Sequence, residues 1–201
     1  LRFYEGTFHG VDVVTLFSGV CKVNAALATQ ILIDSYQAGA VLNVASAGAL
    51  APGLSIFDKL IATEAGYHDV SPEILTEFHP WLPAPVFPSD ARLLALARQA
   101  AARGEHPVVF GRMVTGETFL ADEGGREAIR AAWHPLSVDM ETAAVAHVCY
   151  VNQVPFLAVR TLTDTADQRG AACFEQNCDK AAWIAKEVTR TLLETWRCQG
   201  L

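Results

Sequence analysis

Two segments of this chain place carboxylates just past predicted β-strands. Asp139 and Glu141 stand where an apolar strand gives way to an alanine-rich helix, and Asp164 follows the apolar run at residues 155–160. Acidic residues past the carboxyl ends of consecutive strands are where α/β enzymes keep their chemistry. Carboxylates that share a cleft shift each other's pKa, so that one of them can act as a proton donor. The pattern therefore predicts an enzyme.

Each carboxylate also has a purely structural interpretation. Glu141 would favour the positive end of the helix that it opens. Asp164 could form an Asx turn or a helix cap. Asp139 and Glu141 would share a face on a strand but point apart on a helix. Because they lie at the changeover, the sequence leaves open whether they converge on one ligand.

Ser46 lies among small residues at 45–49, which we predict to form a loop after the strand at 40–44. A Gly-x-Ser-x-Gly nucleophile elbow needs a glycine two positions to either side of the serine. Gly48 meets this on one side, but Val44 stands on the other. A nucleophilic role is therefore disfavoured. Small residues let backbone N–H groups approach a ligand closely, which favours a substrate-cradling loop.

Other candidate residues have a structural reading that outweighs the catalytic one. Tyr67, His68 and Asp69 are adjacent in sequence, and adjacent residues rarely converge on one target. Phe119 and Phe174 could stack on a base, although a single aromatic residue usually belongs to a core.

The composition narrows the class of protein. The 201 residues fit one domain of residues 1–201 and carry a net charge of −7, with no basic cluster that would neutralise phosphates. No apolar run reaches the roughly 20 residues of a membrane-spanning helix. The five cysteines include no Cys-x-x-Cys pair, which disfavours a zinc site or disulfide framework and predicts a cytoplasmic protein. We expect no nucleic-acid or membrane partner.

The elements that would position these residues alternate along the chain. Their periodicity predicts strands at 11–17, 40–44, 59–63, 108–110 and 156–163, and helices at 22–37, 90–102, 122–132, 141–152 and 179–196. Asp90 is predicted to cap its helix. Residues 71–89 hold five prolines and are predicted to be irregular, as a lid, an interface segment or a tether. The alternation predicts a mostly parallel sheet with helices on both faces.

Several segments together resemble the 5′-methylthioadenosine/S-adenosylhomocysteine nucleosidases of the purine nucleoside phosphorylase superfamily, almost from end to end. The segments are Ser-Gly-Val-Cys-Lys-Val-Asn-Ala-Ala at 18–26, the run at 43–53, Tyr-His-Asp at 67–69, Thr-Gly-Glu-Thr-Phe-Leu at 115–120, Val-Asp-Met-Glu at 138–141 and the run at 159–168. The last two are the most specific. The resemblance implies a three-layer α/β/α fold with a mixed, mostly parallel sheet.

The resemblance also implies a reaction and a set of roles. The reaction is hydrolysis of the bond between adenine and a 5′-thio-substituted ribose, a step of nucleoside catabolism and methionine salvage, with no metal or organic cofactor. Asp164 would help to protonate adenine N7, Glu141 would bind the ribose hydroxyls, and Ser46 would lie near the attacking water. The implied substrate-binding residues are Phe119, Leu120, Val138, Asp139, Met140, Phe174 and Arg160, the last of which would orient the acids.

Within the superfamily that this chain resembles, the residue at position 43 indicates whether the reaction is hydrolysis or phosphorolysis. Related bacterial-type phosphorylases carry an arginine three residues before the serine, because phosphate needs a cation. Asn43 is neutral, so water is the expected nucleophile. The open alternatives are a purine nucleoside phosphorylase or futalosine hydrolase on the same fold, and a nucleoside-binding protein with impaired catalysis.

The chain departs from the family pattern at its start. The family opens with a strand and a Gly-x-Met-x-Glu-Glu type segment whose glutamate activates water, and the residues from Leu1 onward contain neither. We therefore expect a fold without its first strand and weak or absent catalysis by the chain as written. Cys21 and Ala45 replace frequent glycines. The resemblance further implies a homodimer in which residues 81–86 reach the partner's site near the 5′ substituent.

Overall fold

The computed structural model of the chain describes residues 1–104, 107–120, 122–165 and 170–199. Its elements, in chain order, are β1 (Phe3–Phe8), β2 (Val11–Leu16), α1 (Lys22–Tyr36), β3 (Val41–Ala49), β4 (Lys59–Tyr67), α2 (Pro72–Glu77), β5 (Phe87–Pro88), α3 (Ala91–Arg103), β6 (Val108–Thr115), α4 (Glu123–Trp133), β7 (Ser137–Asp139), α5 (Thr142–Asn152), β8 (Phe156–Asp164) and α6 (Gly170–Cys198). In this described part, no helix is both long enough and apolar enough to cross a membrane.

Six strands form one sheet in the order β5-β4-β6-β7-β3-β8, and a further pairing between β4 and β8 closes five of them into a ring. The long ladders, β3 with β8 and β4 with β6, are parallel. The antiparallel joins of β3 with β7, β4 with β5 and β4 with β8 extend over only two or three residue pairs each. The predicted mixed, mostly parallel sheet is therefore confirmed. Strands β1 and β2 form a separate antiparallel hairpin.

Helices cover both faces of the sheet because β8 is apolar on both faces. All nine of its residues are buried. Phe156, Ala158 and Leu162 pack with residues of α1 and α5. Leu157 and Val159 point the other way and pack with residues of α3 and α6. Successive side chains of a strand face opposite sides, so such a strand needs a helical layer on each face. The three-layer α/β/α architecture is confirmed.

Asp90 caps α3 as predicted. Its Oδ1 accepts hydrogen bonds from the backbone N–H groups of Arg92 and Leu93, at 2.9 and 3.0 Å. These are two of the four N–H groups that a helix start leaves without a partner inside the helix.

The predicted loop at residues 45–49 is wrong, because β3 continues through Ala49. Ser46 pairs with Thr161 of β8, and Ala49 pairs with Ser137 of β7. Small residues weaken a strand signal in the sequence, but here neighbouring strands supply backbone partners on both sides. Strands β4 and β6 also run beyond their predicted ends, to Tyr67 and Thr115, because they pair with one another along their length.

Two further predictions of secondary structure, at residues 71–89 and at the start of the last helix, are wrong in part. Residues 71–89 are not irregular throughout: α2 begins with Pro72 at its first position, where a missing N–H costs nothing, and β5 adds to the edge of β4. Helix α6 begins at Gly170 rather than at residue 179. Its first turns are mostly exposed, so they carry little of the apolar periodicity that marks a helix in the sequence.

Candidate active site

Gly48 of β3 brings the ends of β7 and β8 to one place. It pairs with Val138 of the antiparallel strand β7 on one side and with Asp164 of the parallel strand β8 on the other. Asp139, which follows Val138, therefore lies about two strand spacings from Asp164, roughly 10 Å. Strand β3 therefore lies between the two acidic strand ends and pairs with both. Among the described residues, β7 and β8 do not pair with each other directly.

One cavity of about 1480 Å³ adjoins these strand ends. Nine of the ten predicted site residues line it: Ser46, Phe119, Leu120, Val138, Asp139, Met140, Glu141, Asp164 and Phe174. The cavity continues between β2 and β3, so a small ligand at the strand ends would fill only part of it.

Arg160 is the predicted site residue that does not line the cavity. Its side chain is fully buried behind Asp139, and its Nε donates to Asp139 Oδ2 at 2.9 Å. Arg160 also donates to the backbone oxygen of Asn43 at 2.8 Å and to the hydroxyl of Thr142. The structure therefore places Arg160 where it can orient an acid but not where it can touch a ligand in the cavity.

Asp139 is saturated with hydrogen bonds from the protein. Its Oδ1 accepts from the Thr115 hydroxyl at 2.6 Å and from the backbone N–H groups of Glu141 and Thr142 at 3.1 and 3.0 Å. The Thr142 hydroxyl donates to Oδ2. Burial alone would raise the pKa of Asp139, but the Arg160 charge and these hydrogen bonds outweigh it and hold the pKa below its ordinary value. Asp139 is therefore held in its ionised form at neutral pH, where it fixes the first turn of α5.

Glu141 stands at the start of α5, with its carboxylate at the cavity wall. Its Oε1 accepts a hydrogen bond from the backbone N–H of Cys21 at 2.8 Å. Burial, followed by the charge of Asp139, raises the pKa of Glu141 above its ordinary value, although the Cys21 N–H acts in the opposite direction. The hydrogen bond from Cys21 holds the Glu141 carboxylate in position. Because Glu141 lines the cavity, its carboxylate can accept hydrogen bonds from a polar ligand there.

Asp164 ends β8 with its side chain almost wholly buried. Its Oδ2 accepts from the Thr163 hydroxyl at 2.9 Å. Ser46 lies partly exposed on β3 and also lines the cavity. Residues Ala166, Asp167 and Gln168, which close the 159–168 motif, lie outside the described residues.

Apolar side chains form another wall of the cavity. Phe119 and Phe174 are each about two-fifths exposed, at 43% and 39%, and come from the loop after β6 and from α6. Leu120 packs against a buried cluster that contains Val114 and Val138. Two partly exposed aromatic rings beside a cavity, with aliphatic side chains below, can hold a flat apolar ring system.

Sequence reasoning missed several residues that hold this site. The Cys21 N–H contacts Glu141 across 120 positions of the chain, and the Thr115 hydroxyl contacts Asp139 across 24. Asp69 accepts from the backbone N–H of Glu117 at 2.8 Å and from Lys22 Nζ at 2.9 Å. Cys21, Thr115 and Asp69 lie in segments that carry the family resemblance, at 18–26, 115–120 and 67–69. The contacts themselves join distant elements, and no local pattern in the sequence signals them.

Comparison with known proteins places this chain in a family. Residues 1–194 match the model of the phosphorylase superfamily. The chain is 37% identical over 199 residues, 95% of its length and 84% of the relative's, to the 5′-methylthioadenosine/S-adenosylhomocysteine nucleosidase of Anoxybacillus flavithermus.

Solved structures of two enzymes share the fold of this chain. The chain is 34% identical, with a TM-score of 0.89, to the 5′-methylthioadenosine/S-adenosylhomocysteine nucleosidase of Neisseria meningitidis in complex with methylthio-immucillin-A, covering 96% of this chain and 85% of that one. It is 27% identical, with a TM-score of 0.87, to the futalosine hydrolase of Helicobacter pylori, covering 96% of this chain and 83% of that one.

Proposed function

The chain belongs to the 5′-methylthioadenosine/S-adenosylhomocysteine nucleosidases of the phosphorylase superfamily, and from that premise we propose that it hydrolyses the N-glycosidic bond of both nucleosides and releases adenine. The observation that carries the proposal is the joint placement of Asp164, Glu141 and two aromatic rings on one cavity. A nucleoside needs these three elements: an acid for the base, an acceptor for the ribose hydroxyls, and apolar walls.

Asp164 is the proposed general acid. Cleavage of the bond to adenine leaves electrons on the base, and a proton delivered to N7 makes adenine a better leaving group. Such proton transfer accelerates a reaction by about 10²–10⁴-fold. The buried position of Asp164 at the end of β8 supports this role, because a carboxyl group shielded from water interacts strongly with a bound base.

Glu141 is the proposed acceptor for the ribose hydroxyls, and Met140 packs against the sugar. As the bond breaks, positive charge develops on the ribose, as in glycoside hydrolysis generally. Glu141 and Asp139 both line this cavity; the Glu141 carboxylate stabilises that charge, whereas the Asp139 carboxylate, bound to Arg160 and to the backbone N–H of Glu141, keeps Glu141 in place. Arg160 keeps Asp139 ionised and in place. Phe119, Leu120, Val138 and Phe174 hold the adenine ring, and Ser46 lies beside the attacking water.

Water is the proposed nucleophile because the Asn43 side chain supplies no charge for phosphate. Its amide oxygen accepts from Arg160, whose guanidinium is buried and bound to Asp139. Among the described residues that line the cavity, Lys186 is the only cation, and it pairs with Glu187 at 3.1 Å on α6. A phosphate ion beside Ser46 would therefore have no dedicated cation.

We further propose that residues 1–201 act as a single cytoplasmic domain and that two copies associate. Val23 and Leu27 lie one turn apart on α1 and are exposed, and Phe17 before that helix is more exposed than either. Exposed apolar residues clustered on one face favour association. Trp81, which is exposed in the proline-rich segment, would approach the partner's 5′ subsite.

The experiment that tests the proposed reaction is release of adenine from 5′-methylthioadenosine in phosphate-free buffer. Adenine release that does not depend on phosphate supports hydrolysis, whereas release that requires phosphate indicates a phosphorylase. Faster turnover of futalosine would favour the second candidate, to which the fold similarity of the Helicobacter pylori enzyme points. Adenine binding without any turnover would contradict the proposed reaction and indicate a nucleoside-binding protein.

A further inference from the structure

We propose that Asp69 is a positioning residue. It fixes the base-binding loop at residues 116–120 relative to the turn at residues 18–21, ahead of α1, so that the two lie on either side of the nucleoside site. The inference rests on the proposed function, because it assigns the two walls to adenine and ribose. Asp69 itself is not among the residues that line the cavity, so it acts through its partners.

On the base side, Asp69 holds the loop by its backbone. The Asp69 Oδ2 accepts from the N–H of Glu117 at 2.8 Å. Glu117 directly precedes the residues Thr118, Phe119 and Leu120, which line the cavity. A hydrogen bond to a charged acceptor is stronger than one between neutral groups, so this contact fixes the loop where it turns toward the site.

The start of the same loop is held by two backbone hydrogen bonds and packs closely against His68. The Gly116 N–H donates to the backbone oxygen of Asp139 at 3.1 Å, and the His68 N–H donates to that of Thr115 at 3.0 Å. A Cβ atom on Gly116 would overlap the His68 ring at Nε2. The loop therefore starts in direct contact with the His68 ring, next to Asp69.

On the ribose side, Asp69 holds the turn through Lys22. Lys22 Nζ donates to both oxygens of Asp69, at 3.0 and 2.9 Å. Lys22 follows Cys21, whose N–H holds Glu141 Oε1. Burial alone would raise the pKa of Asp69, but the hydrogen bonds from Lys22 and Glu117 outweigh it and place the pKa below its ordinary value. Asp69 is therefore ionised at neutral pH and links both walls through one carboxylate.

The matched variants separate the two links. Asp69→Ala removes both, Asp69→Asn keeps an acceptor for the Glu117 N–H but loses the charge, and Lys22→Met removes the cation together with its ion pair to Glu117 Oε2, 3.5 Å away. Asp34→Ala, at an exposed position in the last turn of α1, is the control. Adenine and 5-methylthioribose are titrated separately by calorimetry, which needs no turnover, and Tm is measured for every variant.

We expect Asp69→Ala to weaken adenine binding about tenfold, which corresponds to one lost charge-assisted hydrogen bond. Asp69→Asn should keep adenine affinity within about threefold of the wild-type value but weaken 5-methylthioribose binding to the same degree as Lys22→Met, about two- to fivefold. The Tm of each variant should stay close to that of Asp34→Ala. A purely structural role would lower Tm without separating the two ligands.

The proposal is overturned if Asp69→Ala binds adenine as tightly as the control, or if all three variants weaken both ligands equally and only in proportion to a fall in Tm. A wild-type chain that binds adenine but releases none from 5′-methylthioadenosine would contradict the proposed reaction and still leave this binding test of Asp69 valid.

Discussion

Arg160 and Asp139 form an ion pair that is almost completely excluded from solvent, with Arg160 Nε 2.9 Å from Asp139 Oδ2. Every oxygen of the carboxylate also accepts from a threonine hydroxyl or a backbone N–H of the site. The pair joins the centre of β8 to the end of β7, and Asp139 in turn accepts from the backbone N–H groups of Glu141 and Thr142 at the start of α5. The geometry of Glu141 therefore depends on Arg160, which does not line the cavity.

Replacing Arg160 by methionine should destabilise the fold by about 3–5 kcal/mol, because Asp139 would stay buried without its cation. Urea unfolding measures this, and Arg92→Met at an exposed position is the control. The pKa of Asp139 is lowered in the folded state, so its stabilising contribution is present above the unfolded value of about 3.9 and is lost as the pH falls toward the folded value. The difference between wild type and Arg160→Met should therefore shrink on acidification. A constant difference from pH 7 to pH 3 would contradict this account.

Asp164→Asn should lower the rate of adenine release by about 10²–10⁴-fold, because the amide keeps the shape of the side chain but donates no acidic proton. The rate is measured with 5′-methylthioadenosine in phosphate-free buffer, with Asp34→Asn as the surface control. Adenine affinity measured on the same variant shows whether the pocket is intact. Wild-type rates in Asp164→Asn would remove Asp164 from the proposed chemistry.

Glu141→Gln should lower the activity of the enzyme and raise its thermal stability. We expect kcat/KM to fall by about 10- to 100-fold, as for loss of a hydrogen bond to a charged group. The pKa of Glu141 is raised in the folded state, chiefly by burial, so the charged form destabilises the fold at pH values above the folded pKa. Glutamine removes that charge, and Tm at pH 7 should rise by roughly 1–4 °C.

This gain in Tm has a defined pH window. It should disappear as the pH falls below about 4.3, where the carboxyl group is protonated in both the folded and the unfolded chain. Calorimetric scans at pH 7 and pH 4 measure it. A lower Tm for Glu141→Gln at pH 7 would show that the Cys21 hydrogen bond outweighs the burial of the charge.

Cys21→Gly should stabilise the chain. Cys21 has φ 78° and ψ 165°, a backbone conformation that essentially only glycine adopts without strain. Relief of about 1–3 kcal/mol of strain is offset by roughly 0.5–1 kcal/mol of added chain entropy in the unfolded state. Activity should not fall, because the N–H that holds Glu141 remains. Cys21→Ala, which keeps the strain and removes only the thiol, should leave stability unchanged, and an equal gain in both variants would place the cause in the sulfur instead.

Val23→Glu should convert the proposed dimer into a monomer, because a charge at the centre of an apolar contact stays unpaired. Sedimentation velocity measures the change, and Trp183→Glu, at an exposed position on α6, is the matched control. Adenine release should fall with dissociation if the partner completes the 5′ subsite. A wild-type chain that sediments as a monomer at micromolar concentration would contradict the dimer.

The order of most strands and helices, the helices on both faces of the sheet and the cap at Asp90 could be predicted from the sequence, because periodicity and cap spacing are local signals. Strand β1, helix α2 and strand β5 were not predicted. Apolar runs such as the one in β8 indicate burial on both faces, and a carboxylate at N-cap spacing indicates a helix start. The acidic residues at the ends of β7 and β8, together with the motifs around them, were also sufficient to indicate the family.

Other features were decided only by the tertiary structure. The extent of β3 through Ser46, the meeting of Val138 and Asp164 across Gly48, and the contact between Cys21 and Glu141 all depend on strand register and chain crossing. Register is set by pairing between distant segments, and hydrogen bonds to backbone groups leave no residue signature. The sequence by itself therefore determined which side chains could do chemistry, whereas the fold decided that Arg160 supports the site from behind and that Asp69 holds the loop beside it.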